Sequence, residues 1–247
     1  MTTIAIKDIK RYLRRQPVLF SIFRAIYYGA FGCWGLFVSA IRNPRMFKVY
    51  CRDNAVRKLH LGCENIFLRG WFNTDRYPRH SWVAYCNAMG NFPFPDDSFD
   101  RVFSEHMIEH IDFQSGLKML SECHRILKRG GRIRIATPDL EKIFALKTPV
   151  TELERSYMEY QISEIEEAID VQPSFVINRM MRAWGHTFIY DQATLTSALA
   201  KVGFRDIAPC EPCRSSDPNF DGIDQHGNAL PLAEFNLVET MVLEATK

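Results

Sequence analysis

The stretch that most constrains the fold of this chain is KLHLGCENIFLRGWFNTD, residues 58–75. Leu59 and Leu61 are the apolar positions of a short strand, and Gly62 follows at once. A glycine directly after a strand marks a tight turn whose backbone comes close to a ligand. Residues 71–74 form a second β-prone run that delivers Asp75 to its carboxyl end. In open α/β sheets ligands bind at that edge, and an acid after the second strand is placed to accept hydrogen bonds from ribose hydroxyls. A turn between two strands of any α/β protein satisfies the same residues, so a lone glycine turn leaves the nucleotide reading and a purely structural one open.

Downstream, strands and helices alternate. Residues 82–86 read as a third strand ending in Asn87 and Ala88, and a proline-rich turn over 92–98 leads through Phe99 to a strand over 100–104. A helical stretch is expected from about Glu105, carrying His106, Glu109 and His110, and an amphipathic helix over 117–128 stops at Gly130 and Gly131. A strand over 132–136 and a loop at 137–139 precede an acidic helical segment over 151–170, which lies where an insertion would cover the carboxyl edge of the sheet. Asp191 is placed to cap a helix ending at Gly203, and strands are expected over 205–209 and 239–245. This alternation predicts a parallel sheet wound with helices.

Net charge is only +2, but residues 1–50 hold nine Lys or Arg against one acid, Asp8. The pattern predicts a helical extension over 1–50 and a body over 51–247, with a helical cover at about 148–190. Within the head, residues 25–41 carry no charge, at the lower limit for a membrane span. The basic flanks, the aromatics Phe20 to Phe37 and a snorkelling Arg24 suit a helix lying in an anionic membrane interface through residues 1–48. A helical hairpin packed on the body or on a second copy in a homodimer fits the same residues. Val38-Ser39-Ala40 imitates a signal-peptidase site, but seven cysteines, an odd number without framework spacing, suit a reducing compartment. The expected location is therefore cytoplasmic, peripheral at the inner face of the membrane. The Cys210 and Cys213 pair has no second pair or histidine pair at zinc spacing.

Several stretches in order resemble one family. LHLGCEN (59–65), GWFNTD (70–75), FPFPDDSFDRVFSEHMIEH (92–110), ECHRILKRGGRIRIATPDL (122–140) and GHTFIYDQATLTSALAKVGF (185–204) are similar to class I S-adenosylmethionine-dependent methyltransferases of the type 11 kind. The likeness is to a bacterial branch associated with surface-polysaccharide biosynthesis. It implies an α/β, Rossmann-like, doubly wound and mostly parallel seven-stranded sheet with the last strand antiparallel. It also implies S-adenosyl-L-methionine as cofactor. Leu61, Gly62 and Cys63 would form the first cofactor loop, Asp75 would hold the ribose, and Asn87 and Ala88 would meet the adenine. Ser104, Glu105 and His106 would lie beside the methionine portion. The chain departs from the family at Glu64, where a second glycine is usual, and at His60, where an acid is common. The Glu64 side chain would cost roughly 1 kcal/mol or more if its φ must be positive, or its carboxylate would pair with the cofactor's ammonium.

Methyl transfer from a sulfonium needs alignment of nucleophile, methyl and sulfur above all. A hydroxyl acceptor also benefits from a base, and histidine is the side chain that titrates nearest neutrality. The candidates are His106 and His110, with Glu109 orienting them, and His186 in the cover. HMIEH matches the H-x-x-E-H pattern of zinc hydrolases as well, with two histidines on one helical face. No third ligand stands out near it, so the expectation is no metal centre. The expected substrate is a small molecule or a glycan, a lipid-linked saccharide hydroxyl included. A fold retained for binding or scaffolding, without chemistry, is the alternative that Glu64 supports. Nucleic acid is not the expected partner, because the basic residues cluster with an apolar aromatic run and the body is acidic.

Overall fold

The sheet grows outward from a central parallel pair of neighbours. In the computed structural model, which describes residues 37, 40–165 and 170–247, Lys58–Leu61 (β1) pairs in parallel with Phe72–Asp75 (β2) on one side and with Phe99–Glu105 (β4) on the other. Ala84–Tyr85 (β3) extends the β2 side and Leu127–Pro138 (β5) the β4 side, both parallel. Thr240–Thr246 (β7) inserts between β5 and Arg205–Cys210 (β6), antiparallel to both. The resulting order, β3-β2-β1-β4-β5-β7-β6, is the doubly wound seven-stranded sheet that the family resemblance implies, with the last strand reversed. Its order switches direction between β1 and β4, and the carboxyl ends of the parallel strands open a crevice there.

The strands are buried because helices cover them. Residues 40–53 are helical (α1) and lay Phe47 against Phe72, Phe94 and Phe99, with ring centroids 5.4–5.7 Å apart. Asn43, buried in this helix, donates to the Tyr85 carbonyl and accepts from the Tyr85 N–H, which ties α1 to the β3 edge. The expected boundary at residue 50 thus falls inside a helix that packs on the body. Of the interface helix or hairpin expected within residues 1–48, residues 1–36, 38 and 39 lie outside the described residues, and residues 40–48 belong to α1. Among those residues no helix is long and apolar enough to cross a membrane.

Phe113–Ile126 (α2) buries Met119, Leu120, Cys123 and Ile126 against the sheet. Leu140–Ala145 (α3), Glu152–Ser163 (α4) and Pro173–Arg182 (α5) form the cover, and Phe235–Glu239 (α7) completes a second apolar cluster of Ile143, Tyr157, Met158, Val176, Met180 and Phe235. A capping box at Thr151 and Glu154 starts α4. Residues 166–169 of the expected acidic segment lie outside the described residues. Gln192–Lys201 (α6) begins at Asp191, whose side chain accepts from the Thr194 N–H as its composition predicts.

Three local expectations are corrected. HMIEH is not a helix: Glu105 still belongs to β4, His106 turns with φ +46°, and only Ile108–His110 makes a single 3-10 turn. The two histidines therefore do not share a helical face. Gly130 and Gly131 do not stop a helix either. The helix ends at Ile126 and β5 runs through both glycines, because Gly130 N–H donates to the Lys247 carbonyl and Lys247 N–H to that of Gly131. Asp139 caps α3 through the Glu141 N–H instead of opening a plain loop.

Arg134 of β5 is fully buried and holds the segment before α7 in place. Its guanidinium donates to Asp224, to Glu244 Oε1 at 2.7 Å and to the carbonyls of Arg214 and Glu211. Truncating one partner of a buried ion pair leaves the other charges uncompensated, so Arg134→Ala is expected to lower unfolding stability by about 3–5 kcal/mol. Urea unfolding of the two proteins checks this, and a loss under about 1 kcal/mol contradicts it.

Candidate functional site

At the carboxyl end of β1, Gly62 takes φ +75° and donates its N–H to the Thr74 carbonyl at 2.9 Å. A Cβ on it would stand 2.5 Å from Met107 Cγ, so this turn has room for glycine alone. Asp75 clips the turn to its own loop. Oδ2 accepts the Glu64 N–H at 3.0 Å and Oδ1 the Tyr77 N–H at 2.6 Å. A carboxylate oxygen has two lone pairs, so each keeps one acceptor position. Glu64 itself sits at φ +42°, a conformation that costs an L-residue about 1–2 kcal/mol, and the Asp75 bond holds it there.

A cleft of about 480 Å³ opens over these groups. Of the sequence candidates, Leu61, Gly62, Glu64, Asp75, Asn87, Ala88, His106 and His110 line it. Arg76, Tyr77, Met89, Met107, Ile111 and Trp184 join them, and sequence reasoning did not single these out. Cys63 is buried beside the turn, and burial together with the Asp75 charge pushes its thiol up to about 12. Ser104 and Glu105 do not line the cleft. Ser104 is buried in β4, and the Glu105 carboxylate accepts the N–H groups of Gln225 and His226 at 2.9–3.0 Å. His60 is buried too, with Nδ1 3.1 Å from Asn73 Oδ1, and burial pushes its pKa down to about 4. It is a neutral packing residue against Phe103.

A second cavity of about 470 Å³ adjoins the cleft and shares Glu64, His106, His110 and Trp184 with it. The positive φ of His106 aims its ring inward, with Nε2 3.0 Å from Thr240 Oγ1 and Nδ1 3.4 Å from Glu109 Oε1. Its ring stacks on His226 with centroids 3.6 Å apart. His226 Nε2 lies 2.6 Å from Glu239 Oε1, and the other Glu239 oxygen accepts the Tyr157 hydroxyl. Gln161 donates to Tyr157 and accepts from Arg179, which carries this network into the cover.

Glu109 is fully buried. Burial alone would raise its carboxyl, but the approach of His106 Nδ1 and the charges of His106 and His110 outweigh it and hold the group below the ordinary carboxylate range. Burial likewise opposes protonation of His106, and Glu109, Glu239 and Glu105 reverse the balance, leaving its pKa raised. The Glu109 carbonyl accepts the N–H groups of Thr187 and Phe188, at 2.7 and 3.1 Å, so the cover docks on the HMIEH turn itself. That docking brings His186 beside His110, ring centroids 5.0 Å apart, and His186 Nδ1 donates to the Met180 carbonyl at 2.5 Å. The structure thus gathers His106, Glu109, His110 and His186 around one cavity. His226 and Glu239 are the additions that no local pattern marks, since they enter from a 3-10 turn and from the end of α7, more than 100 residues downstream.

Residues 35–135 match the model of a family described as a methyltransferase domain. That stretch holds the β1 to β4 half of the sheet and the cleft's glycine turn and acid, so match and strand order agree on a class I methyltransferase fold. Among solved structures, the chain is similar to an S-adenosylmethionine-dependent methyltransferase from Mesorhizobium loti, with 16% identity, TM-score 0.46, and 78% of this chain and 92% of that one covered. It is also similar to a SAM-dependent methyltransferase from Archaeoglobus fulgidus, with 18% identity, TM-score 0.43, and coverage of 86% and 94%. A third likeness is to Haemonchus contortus phosphoethanolamine N-methyltransferase 2 bound to phosphomonomethylethanolamine and S-adenosylhomocysteine, with 18% identity, TM-score 0.41, and coverage of 78% and 49%. No curated protein sequence matches the chain.

The His106 and Glu109 pair makes a pH-dependent prediction. A raised histidine pKa contributes stability that is full below the unfolded value of 6.5 and is lost as pH rises through the folded value. NMR titration of the imidazoles should find His106 above 6.5 in the native protein. In Glu109→Gln burial should win and bring it down. An unshifted His106 in that variant contradicts the assignment.

Proposed function

We propose that this chain transfers the methyl group of S-adenosyl-L-methionine to an oxygen of a small-molecule or glycan acceptor, a hydroxyl on a lipid-linked saccharide being the class that suits it. The observation that carries the reading is the Asp75 carboxylate, clipped by two backbone N–H groups at the end of β2 and lining the cleft beside the Gly62 turn. Its remaining acceptor positions suit two vicinal ribose hydroxyls. Ala88 and Met89 give apolar walls for a flat base, and the exposed Glu64 carboxylate suits an ammonium. When bound, the cofactor supplies a methyl already activated by the sulfonium.

The work left to the protein is alignment and exclusion of water. His106, His110 and His186, around the adjoining cavity, are the bases within reach of an acceptor hydroxyl there, and Glu109 orients them through the contacts with His106 and His110. Trp184, which lines both cavities, shields the junction from solvent. A binding protein without chemistry is the second reading, favoured by Glu64 in a left-handed turn where a glycine would be unstrained. The basic, apolar residues 1–48 are proposed to hold the protein at the inner face of a membrane, where a lipid-linked acceptor would lie, or to pair two copies.

Calorimetric titration with S-adenosylmethionine tests the cofactor role. Asp75→Ala should weaken binding by about 1.5–3 kcal/mol, as for hydrogen bonds lost to a charged group. Unchanged affinity, in a variant whose circular dichroism shows the native fold, overturns the assignment.

A further inference from the structure

We propose that Glu109, His110 and His186 form a binding site for a first-row divalent metal ion of the zinc class, on the acceptor side of the cleft. One carboxylate oxygen and one nitrogen from each histidine lie within 4.8 Å of one another. Glu109 Oε1 is completely buried and accepts no well-formed hydrogen bond, while Oε2 is held by Thr137 Oγ1 at 3.0 Å. An unpartnered carboxylate oxygen in the interior is costly unless something cationic completes it. His106 Nδ1 and His110 Nε2 approach it from two sides at 3.4 and 3.9 Å without closing on it.

The surrounding bonds have the form that a metal site requires. A ligating imidazole has its other nitrogen tied to a carbonyl, hydroxyl or carboxylate, which sets tautomer and orientation. His186 Nδ1 is tied to the Met180 carbonyl, so in the neutral ring Nε2 keeps the lone pair. Thr137 does the same for Glu109, and Thr240 for the neighbouring His106. Two imidazoles and one carboxylate suit zinc and its first-row neighbours, and leave a coordination position for an oxygen of the substrate. Ligand atoms in a tetrahedral zinc site stand about 3.3 Å apart, so closure is a movement of roughly an ångström. His110, whose side chain is 35% exposed, can supply it.

A second trio, His106, His226 and Glu239, has similar spacing but is already satisfied, with His226 on Glu239 and Glu239 on Tyr157. The sequence expectation of no metal rested on the missing third ligand. His186 fills that place from the cover, far along the chain. In the site, the ion would bind the acceptor oxygen and lower its pKa, in place of a base role for His110 and His186. This role rests on the methyl-transfer reading, but binding of the ion does not.

The test is calorimetric titration of Zn²⁺ alone into chelator-stripped full chain purified without a histidine tag, paralleled by Co²⁺ and its visible absorption. The expected result is one ion per chain with the absorption of four-coordinate Co²⁺. Glu109→Gln and the solvent-facing His110→Ala should each weaken zinc by more than about 100-fold, and His226→Ala should leave it unchanged. Absence of zinc binding, or loss in His226→Ala with retention in His110→Ala, overturns the proposal. S-adenosylhomocysteine titrated into the same stripped protein reads the cofactor cleft separately, so its binding without zinc binding would sink the metal site and leave the methyl-transfer reading standing.

Discussion

The parallel pairing of β1 between β2 and β4 is the constraint from which the rest of the molecule follows. With a parallel neighbour on each side, all three strands end at one edge, and the chain leaves β1 and β4 in opposite directions along the sheet. The crevice between those exits can stay open only if the β1 turn is very tight. Gly62 makes it so, at a φ and a clearance from Met107 that a side chain would not tolerate. Asp75 then locks the turn by accepting from Glu64 and Tyr77, and one carboxylate sets the positions of two loops. Glu64 and His106, both left-handed, place backbone strain at this edge.

The opposite wall is organised by buried charge. Arg134 ties Asp224 and Glu244 together, and Glu105 receives Gln225 and His226 at the end of the same loop. These bonds bring His226 over His106 and place Glu239 beneath it. The cover is fixed separately, through its own apolar cluster and through the Glu109 carbonyl, which accepts from Thr187 and Phe188. The second cavity is therefore lined by three independently anchored pieces of chain. Glu109 is common to them: its backbone docks the cover, and its side chain lies between His106, His110 and Thr137.

Much of this was legible in the sequence where the signal is local. Gly62 after an apolar run, Asp75 at the end of the next, and Asp191 before a helix each act through their immediate neighbours, and each stands where its pattern puts it. The misreadings share one cause, which is pairing with a distant partner. HMIEH has helical spacing, but β4 extends through Glu105 by pairing with Ala136, and the turn that follows is not an α-helix. Gly130 and Gly131 look like a stop, but Lys247 supplies backbone partners from the end of the chain. His226, Glu239 and Tyr157 had no motif to mark them, because the chain leading into the sheet's final antiparallel strand brings in the first two and α4 of the cover brings Tyr157 to meet Glu239.

The central claim is that the β1 and β2 exits, clipped by Asp75, form the cofactor seat. Backbone hydrogen exchange measured with and without S-adenosylhomocysteine tests it most directly, since amide exchange reports local opening at each loop. The account predicts that the ligand slows exchange at residues 62–64, 76–77 and 87–89 and leaves residues 205–210, on the far edge of the sheet, unchanged. Exchange unaltered at residues 62–64 and 76–77 under saturating ligand, or protection confined to another face of the protein, would contradict it.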